Sequence, residues 1–339
     1  MFTDKLLKEN QPLIDFSLKM HQEGRLLPDT YLIDVDQIIE NGRQIIKACK
    51  DDIVAIFMLK QVGRNPYIAK KLLEVGFAGA VAVDFKDAQV LMKHNIPILN
   101  IGHIVQPPKH FLEKIMAYGV EHITVYSLQK AKEIEEIASK LHIKQKILLK
   151  VYGSKDTLYP GQVSGVNVEQ VLSFANQLSK FDHLIIDGLT TFPAFIYQEE
   201  KNDILGTENL HALMQAKDIL LEAGYQLKEY NLPSSNCVHN MDLARQMGAT
   251  TIEPGHALTG TTMMNEKHNL AEKISYLYLS EVSHTVAGKS YIYGGGYYAR
   301  GRVNKALVTK DLHEIKVNPI PAESIDYYLE LDGSYEVSQ

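Results

Sequence analysis

Short apolar runs alternate with longer amphipathic segments from residue 31 to residue 255 of the chain. Apolar runs of about four to eight residues are typical of strands that are buried on both faces, as in parallel sheets. The runs cover residues 31–35, 53–59, 78–83, 97–102, 122–126, 146–153, 183–189, 226–232 and 249–255. Eight or nine strand–helix units in order predict an α/β fold with a parallel sheet, and their number suits a closed (β/α)8 TIM barrel.

The pattern of the sequence changes near residue 270. Residues 274–288 and 289–301 alternate between apolar and polar positions, are rich in Tyr, Val and Gly, and lack a helical period. Such a pattern favours short strands joined by turns. We therefore predict a (β/α)8 barrel over residues 1–269 and a smaller, mainly β C-terminal domain over residues 270–339.

Composition and charge argue against several classes of protein. The 339 residues carry a net charge of −6, which gives no support to a nucleic-acid or anionic-membrane partner. Only two cysteines are present, Cys49 and Cys237, so neither a disulfide framework nor a CxxC metal site is expected. No apolar run approaches the roughly 20 residues that span a bilayer, and the first residues lack the apolar region of a signal peptide. We expect a cytoplasmic protein with no metal site.

Lys60 lies at the end of the second apolar run, just before the Gly-Arg-Asn-Pro turn at residues 63–66. An ammonium so close to a buried strand must stay solvated, find a partner or lose its proton. In a (β/α)8 barrel the chemistry gathers at the carboxyl ends of the strands, where residues 234–236 and 254–260 suit a phosphate. A lysine opposite a phosphate site fits pyridoxal 5'-phosphate (PLP) held as a Schiff base. A solvated strand-end lysine and plain turn residues are the simpler alternatives.

Five segments carry a resemblance to a known family. They are YLIDVDQIIENGRQI (31–45), AIFMLKQVGRNP (55–66), SSN (234–236), IEPGHALTG (252–260) and AGKSYIYGG (287–295). Together they resemble the alanine racemase-like, fold type III PLP-dependent enzymes, in which a (β/α)8 barrel is followed by a β domain. The overall pattern is similar to the YhfX-type branch of that family rather than to alanine racemase itself. The resemblance implies an isomerase, an amino-acid racemase with PLP as its cofactor.

The resemblance also implies the roles of individual residues. Lys60 would hold PLP and exchange the α-proton on one face of the amino acid substrate, and Tyr293 would serve the opposite face. In this family the tyrosine reaches into the partner's site, so a homodimer with shared active sites is expected. Ser235 and Arg64, with backbone NH groups of residues 255 and 256, would hold the phosphate. The implied cofactor-binding residues are Lys60, Arg64, Phe192, Ser234, Ser235, Asn236, Glu253, Gly255 and His256.

Three departures from the family pattern concern the substrate and the reaction. Glu253 stands where the racemases place an arginine beside the pyridine nitrogen, as in the related decarboxylases, and a carboxylate there favours the protonated ring. Phe192 replaces a ring-stacking histidine, and residues 157–165 lack the arginine of the corresponding family loop. A substrate other than alanine is therefore expected. A PLP-dependent decarboxylase of the same fold and a non-catalytic PLP-binding protein are the alternative functions.

Several single-residue assignments have simpler alternatives. Glu253 could cap a helix after the last strand, and Tyr293 could be a half-buried strand tyrosine. The spacing from the preceding glycine favours Tyr293 over Tyr291 and Tyr297 as the second base. His103, at the end of the fourth run, is expected to be a hydrogen-bonded loop histidine rather than a catalytic one.

Overall fold

The computed structural model of the chain describes residues 2–156, 159–162, 164–298, 303–308, 312–319, 321, 323–324 and 327–338. The chain packs into two compact units. The barrel unit consists of Ile39–Leu258 and Thr262–Glu272, and the second unit consists of Met1–Ile38, Thr259–Thr261 and Lys273–Gln339. The domain boundary between residues 269 and 270 stays a prediction.

The described residues form helices and short strands in an alternating order. The helices are α1 (Phe2–Glu9), α2 (Gln11–Gln22), α3 (Val35–Cys49), α4 (Pro66–Val75), α5 (Phe85–Lys93), α6 (Lys109–Tyr118), α7 (Leu128–Leu141), α8 (Val171–Leu178), α9 (Glu208–Glu222), α10 (Met241–Gln246) and α11 (Met263–Lys267). The strands are β1 (Thr30–Ile33), β2 (Val54–Phe57), β3 (Gly79–Ala82), β4 (Ile98–Ile101), β5 (His122–Val125), β6 (Gln145–Tyr152), β7 (Val166–Asn167), β8 (Leu184–Thr190), β9 (Phe195–Gln198), β10 (Asp203–Gly206), β11 (Glu229–Asn231), β12 (Thr251–Ile252), β13 (Tyr276–Leu279), β14 (Val282–Val286), β15 (Lys289–Tyr293), β16 (Lys305–Val308), β17 (His313–Lys316) and β18 (Tyr328–Asp332). Among the helices so described, none has the length and apolar content that a membrane crossing requires.

Eight parallel strands close into a barrel. Their order around the barrel is β2, β3, β4, β5, β6, β8, β11 and β12, and β12 pairs again with β2. Each strand is followed by a helix or a short helical turn before the next, as expected for this architecture. The predicted (β/α)8 barrel is therefore confirmed.

The first of the nine apolar runs lies outside the barrel. β1 pairs antiparallel with β13, with Thr30 opposite Leu279 and Ile33 opposite Tyr276. Both strands belong to the second unit. A short apolar run predicts a strand but does not identify its partner, so the sequence could not separate this strand from the eight that follow it.

Local signals in the sequence position the helices that surround the barrel. Asn65 caps α4 by accepting a hydrogen bond of 2.9 Å from the backbone NH of Tyr67. The carboxylate of Asp84 caps α5 by accepting from the backbone NH of Asp87 at 2.8 Å. Ser127 caps α7 by accepting from the backbone NH of Lys130 at 3.2 Å. These caps fix where each helix begins and therefore the length of the loop that joins it to the preceding strand.

The second unit contains the mainly β C-terminal region that the sequence predicts. β14, β15 and β18 form an antiparallel sheet, β16 pairs with β17, and β1 pairs with β13. A core of buried aliphatic side chains lies on this sheet: Val282, Ile292, Val308, Ile315, Val317, Leu329 and Leu331. Tyr293 ends β15 opposite Tyr328 of β18.

Candidate active site

The predicted site residues of the barrel unit follow the carboxyl ends of its strands. Lys60 follows β2, Phe192 follows β8, residues 234–236 follow β11 and residues 253–256 follow β12. Because all eight barrel strands are parallel, their carboxyl ends meet at one rim. The structure therefore brings these residues together at the rim where barrel enzymes carry their active sites.

Lys60 begins a single turn of 3-10 helix and is exposed at this rim. Desolvation by the surrounding protein lowers the pKa of the Lys60 amine, and the attraction of Glu253 opposes the shift only in part. Within the described residues, Nζ of Lys60 has neither a hydrogen-bond nor an ion-pair partner. The amine is thus accessible and closer to neutrality than an ordinary lysine, which are the two properties that a nucleophilic lysine needs.

Glu253 is buried inside the barrel, directly after β12. Its Oε1 accepts hydrogen bonds from Nδ2 of Asn231 at 2.7 Å and from Nδ2 of Asn100 at 3.3 Å. Its Oε2 is also buried and has no hydrogen-bond partner among the described residues. The carboxylate is therefore held by side chains from two other strands, and the alternative that it caps a helix does not hold.

His103, which follows β4, is completely buried beside Glu253. Nε2 of His103 lies 3.5 Å from Oε2 of Glu253, and neither ring nitrogen makes a hydrogen bond within the part of the chain that is described. Burial lowers the pKa of His103, and the charges of Lys150 and Lys60 lower it further against the attraction of Glu253. Burial therefore favours the uncharged form of the ring, and His103 is not the hydrogen-bonded loop histidine that the sequence predicts.

Lys150 is a buried lysine on β6. Its Nζ donates to the backbone carbonyl of His103 and to Oγ of Ser164, both at 2.7 Å, and lies 5.8 Å from the centre of the Tyr126 ring. Desolvation lowers the pKa of Lys150 to about 8, against the attraction of Glu253. A second amine with an altered pKa therefore lies inside the barrel, close to the carboxylate.

Four polar residues near Glu253 are not predicted from the sequence: Asn100, Thr124, Lys150 and Asn231. All four are buried, and each lies on a different barrel strand near its carboxyl end. The signal that could have found them is a polar residue within an otherwise apolar run, as in PILNIG and KILLKVYG. Burial of such a group is costly unless it is hydrogen-bonded, so its presence in a core strand predicts an internal polar network.

Residues 234–236 form a strained turn that is tied to Glu253. Ser234 and Ser235 have φ values of 88° and 49°, a region that residues other than glycine rarely adopt and that is common at ligand-binding turns. Oδ1 of Asn236 accepts a hydrogen bond of 3.0 Å from the backbone NH of Glu253, and its Nδ2 donates to the carbonyl of Leu232 at 3.0 Å. The buried Asn236 side chain therefore joins the two segments that the sequence predicts to bind phosphate.

Gly255 packs directly against the turn that carries Lys60. A Cβ atom at residue 255 would lie 2.9 Å from Nε2 of Gln61, so a larger residue would push this side chain aside. Oε1 of Gln61 is buried and has no hydrogen-bond partner among the residues described. His256 is exposed at the rim, and desolvation followed by the charge of Lys60 lowers its pKa. Residues 255 and 256 are therefore neighbours of Lys60.

Phe192 lies at the same rim and is half-buried. The centre of its ring is 5.8 Å from that of His103 and 5.8 Å from that of Tyr159. The peptide bond between Phe192 and Pro193 is cis, and the carbonyl of Phe192 accepts a hydrogen bond of 2.9 Å from Asn209. Through His103, Phe192 is connected to the group around Glu253.

Arg64 pairs with carboxylates of the protein. Its guanidinium forms an ion pair with Asp87 and lies 3.7 Å from Asp84, two carboxylates at the start of α5. Asp87 is buried and also accepts from the backbone NH of Val83 at 3.1 Å. Arg64 would have to leave these carboxylates to reach a phosphate, and its role as a phosphate ligand stays a prediction.

Tyr293 lies in the second unit and is half-buried. Its backbone carbonyl accepts a hydrogen bond of 2.6 Å from Oγ of Ser280, which fixes the end of β15. Its role as a catalytic base stays a prediction. The sequence leaves open whether Arg300 and Arg302 bind a substrate carboxylate or form surface ion pairs, and both lie outside the described residues.

Two family models match the chain. The model of the alanine racemase N-terminal domain matches residues 33–263, and that of the YhfX-like C-terminal domain matches residues 277–339. The first match alone covers more than half of the chain. The chain therefore belongs to the alanine racemase-like family, in the branch with a YhfX-like C-terminal domain, and the family predicted from the sequence is confirmed.

Individual relatives support this assignment. The chain is 40% identical over 343 residues to "Uncharacterized protein YhfX" from Escherichia coli (strain K12), with coverage of 100% of this chain and 89% of the relative. It shares its fold with an alanine racemase from Clostridium difficile 630 in complex with cycloserine, at 18% identity and a TM-score of 0.62, covering 91% and 87% of the two chains. It also shares its fold with diaminopimelate decarboxylase from Helicobacter pylori in complex with L-lysine, at 16% identity and a TM-score of 0.63, covering 89% and 85%.

Proposed function

We propose that this protein is a PLP-dependent amino-acid racemase or epimerase in which Lys60 and Tyr293 move the α-proton on opposite faces of the substrate. The observation that carries the proposal is the position of Lys60. Its amine is accessible at the rim where barrel enzymes carry their active sites. Desolvation lowers the pKa of this amine, and the attraction of the buried Glu253 carboxylate opposes the shift only in part. Membership of the alanine racemase-like family supports the choice of PLP.

The residues at the rim fit PLP. Oε2 of Glu253 is a buried acceptor without a donor, which suits the NH of a protonated pyridine ring. The turn at Ser234 and Ser235 has the strained backbone that is common at ligand-binding turns, and Asn236 fixes it against the segment that contains Gly255. An acceptor for the ring nitrogen, an amine for the aldehyde and a turn that suits the phosphate therefore follow the ends of neighbouring barrel strands, as binding of PLP requires.

Each residue at the rim would then have a distinct task. Bound PLP supplies an electron-withdrawing ring that acidifies the α-carbon of an attached amino acid. Oε2 of Glu253 would accept a hydrogen bond from the NH of the ring, and residues 234–236 with the backbone NH groups of Gly255 and His256 would hold the phosphate. The amine of Lys60 would accept the α-proton on one face and return it, which its lowered pKa favours near neutral pH.

The second proton-transfer group is a separate part of the proposal. Racemisation requires that a proton leaves one face and arrives on the other, so a single base on one side is not sufficient. We assign this task to Tyr293, supplied by the partner subunit of a homodimer with shared active sites. The family resemblance of residues 287–295 supports this assignment.

A decarboxylase is the second candidate function. Glu253 in the Glu-Pro-Gly segment favours it, because a carboxylate beside the ring nitrogen makes PLP a stronger electron sink than an arginine does. The fold shared with diaminopimelate decarboxylase is compatible with either reaction.

Exchange of the α-proton in deuterium oxide distinguishes these functions. The protein with PLP is incubated with single L- and D-amino acids, the loss of the α-proton signal is followed by NMR, and the products are separated on a chiral column. A racemase gives exchange together with the opposite enantiomer, and Lys60→Ala gives neither. Release of carbon dioxide from lysine, ornithine or diaminopimelate without the opposite enantiomer would replace the racemase with the decarboxylase. Binding of PLP with no exchange on any amino acid would favour a non-catalytic PLP-binding protein.

A further inference from the structure

Two asparagine side chains from different strands meet on one oxygen of Glu253. Asn231 on β11 and Asn100 on β4 both donate to Oε1, at 2.7 and 3.3 Å. Both side chains are almost completely buried. The sheet thus places two amide donors on one carboxylate oxygen, while the other oxygen has no donor among the described residues.

A third buried residue fixes the orientation of one of these amides. Oγ1 of Thr124 on β5 donates to Oδ1 of Asn100 at 2.8 Å. Because Oδ1 of Asn100 accepts the hydrogen bond from Thr124, the NH2 group of Asn100, and not its oxygen, faces Glu253. Thr124 is completely buried, so water does not compete for this hydrogen bond.

Oε2 of Glu253 accepts no hydrogen bond from the described residues. Nε2 of His103 lies 3.5 Å from Oε2, in a geometry that does not form a hydrogen bond. Burial lowers the pKa of His103 and so favours its uncharged form. Lys60 and Lys150 also act on this part of the barrel through their charges, and Lys150 donates to the His103 carbonyl and to Ser164.

We propose that Asn231 and Asn100 are positioning residues of the cofactor site, which bind Oε1 of Glu253 so that Oε2 faces the NH of the pyridine ring, with Thr124 fixing the amide of Asn100. This inference rests on the proposed function. The two amide donors stabilise the carboxylate charge, and a stabilised carboxylate keeps the ring nitrogen protonated. These residues therefore set how strong an electron sink the cofactor is, although none of them contacts the reacting atoms.

The test measures the protonation of the ring nitrogen directly. PLP with an isotope-labelled ring nitrogen is bound to the full-length protein, and its NMR chemical shift, which differs between the protonated and unprotonated ring, is followed with pH. We compare the wild type with Glu253→Gln, Asn231→Leu and Thr124→Val. Gln145→Met is the matched control, because Gln145 is a buried amide on β6 that donates only to backbone carbonyls.

The expected effects are graded. Asn231→Leu lowers the ratio of protonated to unprotonated ring by about tenfold at a given pH, the usual value of one hydrogen bond to a charged group. Thr124→Val gives a smaller shift in the same direction, because Oδ1 of Asn100 then loses its donor and the amide is held less firmly against Glu253. Gln145→Met leaves the ratio unchanged, even though it lowers the stability of the protein in the way any buried amide variant does.

Three other results are informative. If Glu253→Gln shifts the ratio and Asn231→Leu and Thr124→Val do not, the positioning role is overturned and the proposed function stands. If Gln145→Met shifts the ratio as much as Asn231→Leu, the effect is one of general packing and the positioning role is also overturned. If the wild type binds no PLP, the proposed function is overturned, and this inference falls with it.

Discussion

Nζ of Lys150 donates a hydrogen bond of 2.7 Å to the backbone carbonyl of His103, inside the barrel. Its other acceptor, Oγ of Ser164, is also uncharged, so within the described residues the ammonium lies in a buried site without an ion-pair partner. Desolvation is the largest cause that lowers the pKa of Lys150 from 10.5 to about 8. This relationship makes the stability of the protein depend on pH in a predictable direction.

We expect the wild type to gain stability relative to Lys150→Met as the pH rises from about 8 towards 10.5. In this window the unfolded lysine still binds a proton and the folded one does not, so raising the pH favours the folded state. Below this window the cost of the buried charge is fully present. The difference between the two pKa values corresponds to a gain of about 3 kcal/mol. Urea unfolding of both proteins without PLP, at pH 7 and pH 10.5, measures the gain, and parallel pH dependences would contradict it.

Arg64→Ala separates a structural role of this residue from binding of a phosphate. Because its partner Asp87 is buried, we expect a loss of about 1–2 kcal/mol in the free energy of unfolding. Arg43→Ala is the control, since Arg43 forms an exposed pair with Glu40 and should change stability by less than about 0.5 kcal/mol. Titration of the folded Arg64→Ala and Arg43→Ala variants with PLP then tests whether Arg64 binds the phosphate. A fall in affinity of more than about tenfold would mean that Arg64 leaves Asp87 to bind the phosphate.

Tyr293→Phe should suppress α-proton exchange from one enantiomer more strongly than from the other. The reason is that each of the two proposed bases serves one face of the substrate. Tyr291→Phe is the matched control, because Tyr291 lies on the same strand and its hydroxyl donates to Glu330 at 3.1 Å. The initial exchange rates of the D- and L-forms measure the effect. Equal and undiminished rates in Tyr293→Phe would refute the two-base mechanism.

Mixing two variants that each lack one of the two proposed bases, and therefore racemase activity, tests whether the active site is shared between subunits. In a heterodimer of Lys60→Ala and Tyr293→Phe, one site contains both intact residues if Tyr293 acts in the partner's site. An equal mixture that exchanges subunits should then recover about a quarter of the wild-type activity, since about half of the dimers are mixed and each has one intact site. If Tyr293 acts within its own chain, every site lacks one of the two residues, and no recovery is expected.

The sequence predicts the barrel well because its signals are local and repeated. Apolar runs, helix caps at Asp84 and Ser127, and the change in pattern near residue 270 each depend on neighbouring residues. The antiparallel pairing of β1 with β13 was not predictable in this way, because the two strands are more than 240 residues apart. Pairing over such a distance depends on the packing of the whole chain rather than on the run itself.

The sequence predicts the residues of the candidate site less completely than it predicts the barrel. Lys60 and Glu253 each follow an apolar run, so the strand pattern predicts that both lie at the carboxyl ends of barrel strands, while their roles stay predictions. Asn100, Asn231 and Thr124 were missed, since their importance lies in hydrogen bonds across the barrel to a residue on another strand. The pairing of Arg64 with Asp87 likewise depends on the loop after β3.

The central claim is that Lys60 holds PLP, and the most direct measurement is the absorbance spectrum of the purified protein with PLP before and after borohydride. We expect the visible band of a Schiff base, its loss on reduction, and a reduced pyridoxyl group that maps to Lys60 in a peptide digest. Lys60→Ala should show no such band, and the substitution should not unfold the protein because Lys60 is exposed. A wild type without the band, or a band that persists in Lys60→Ala, would mean that Lys60 is a solvated lysine at the end of a strand and would contradict the account.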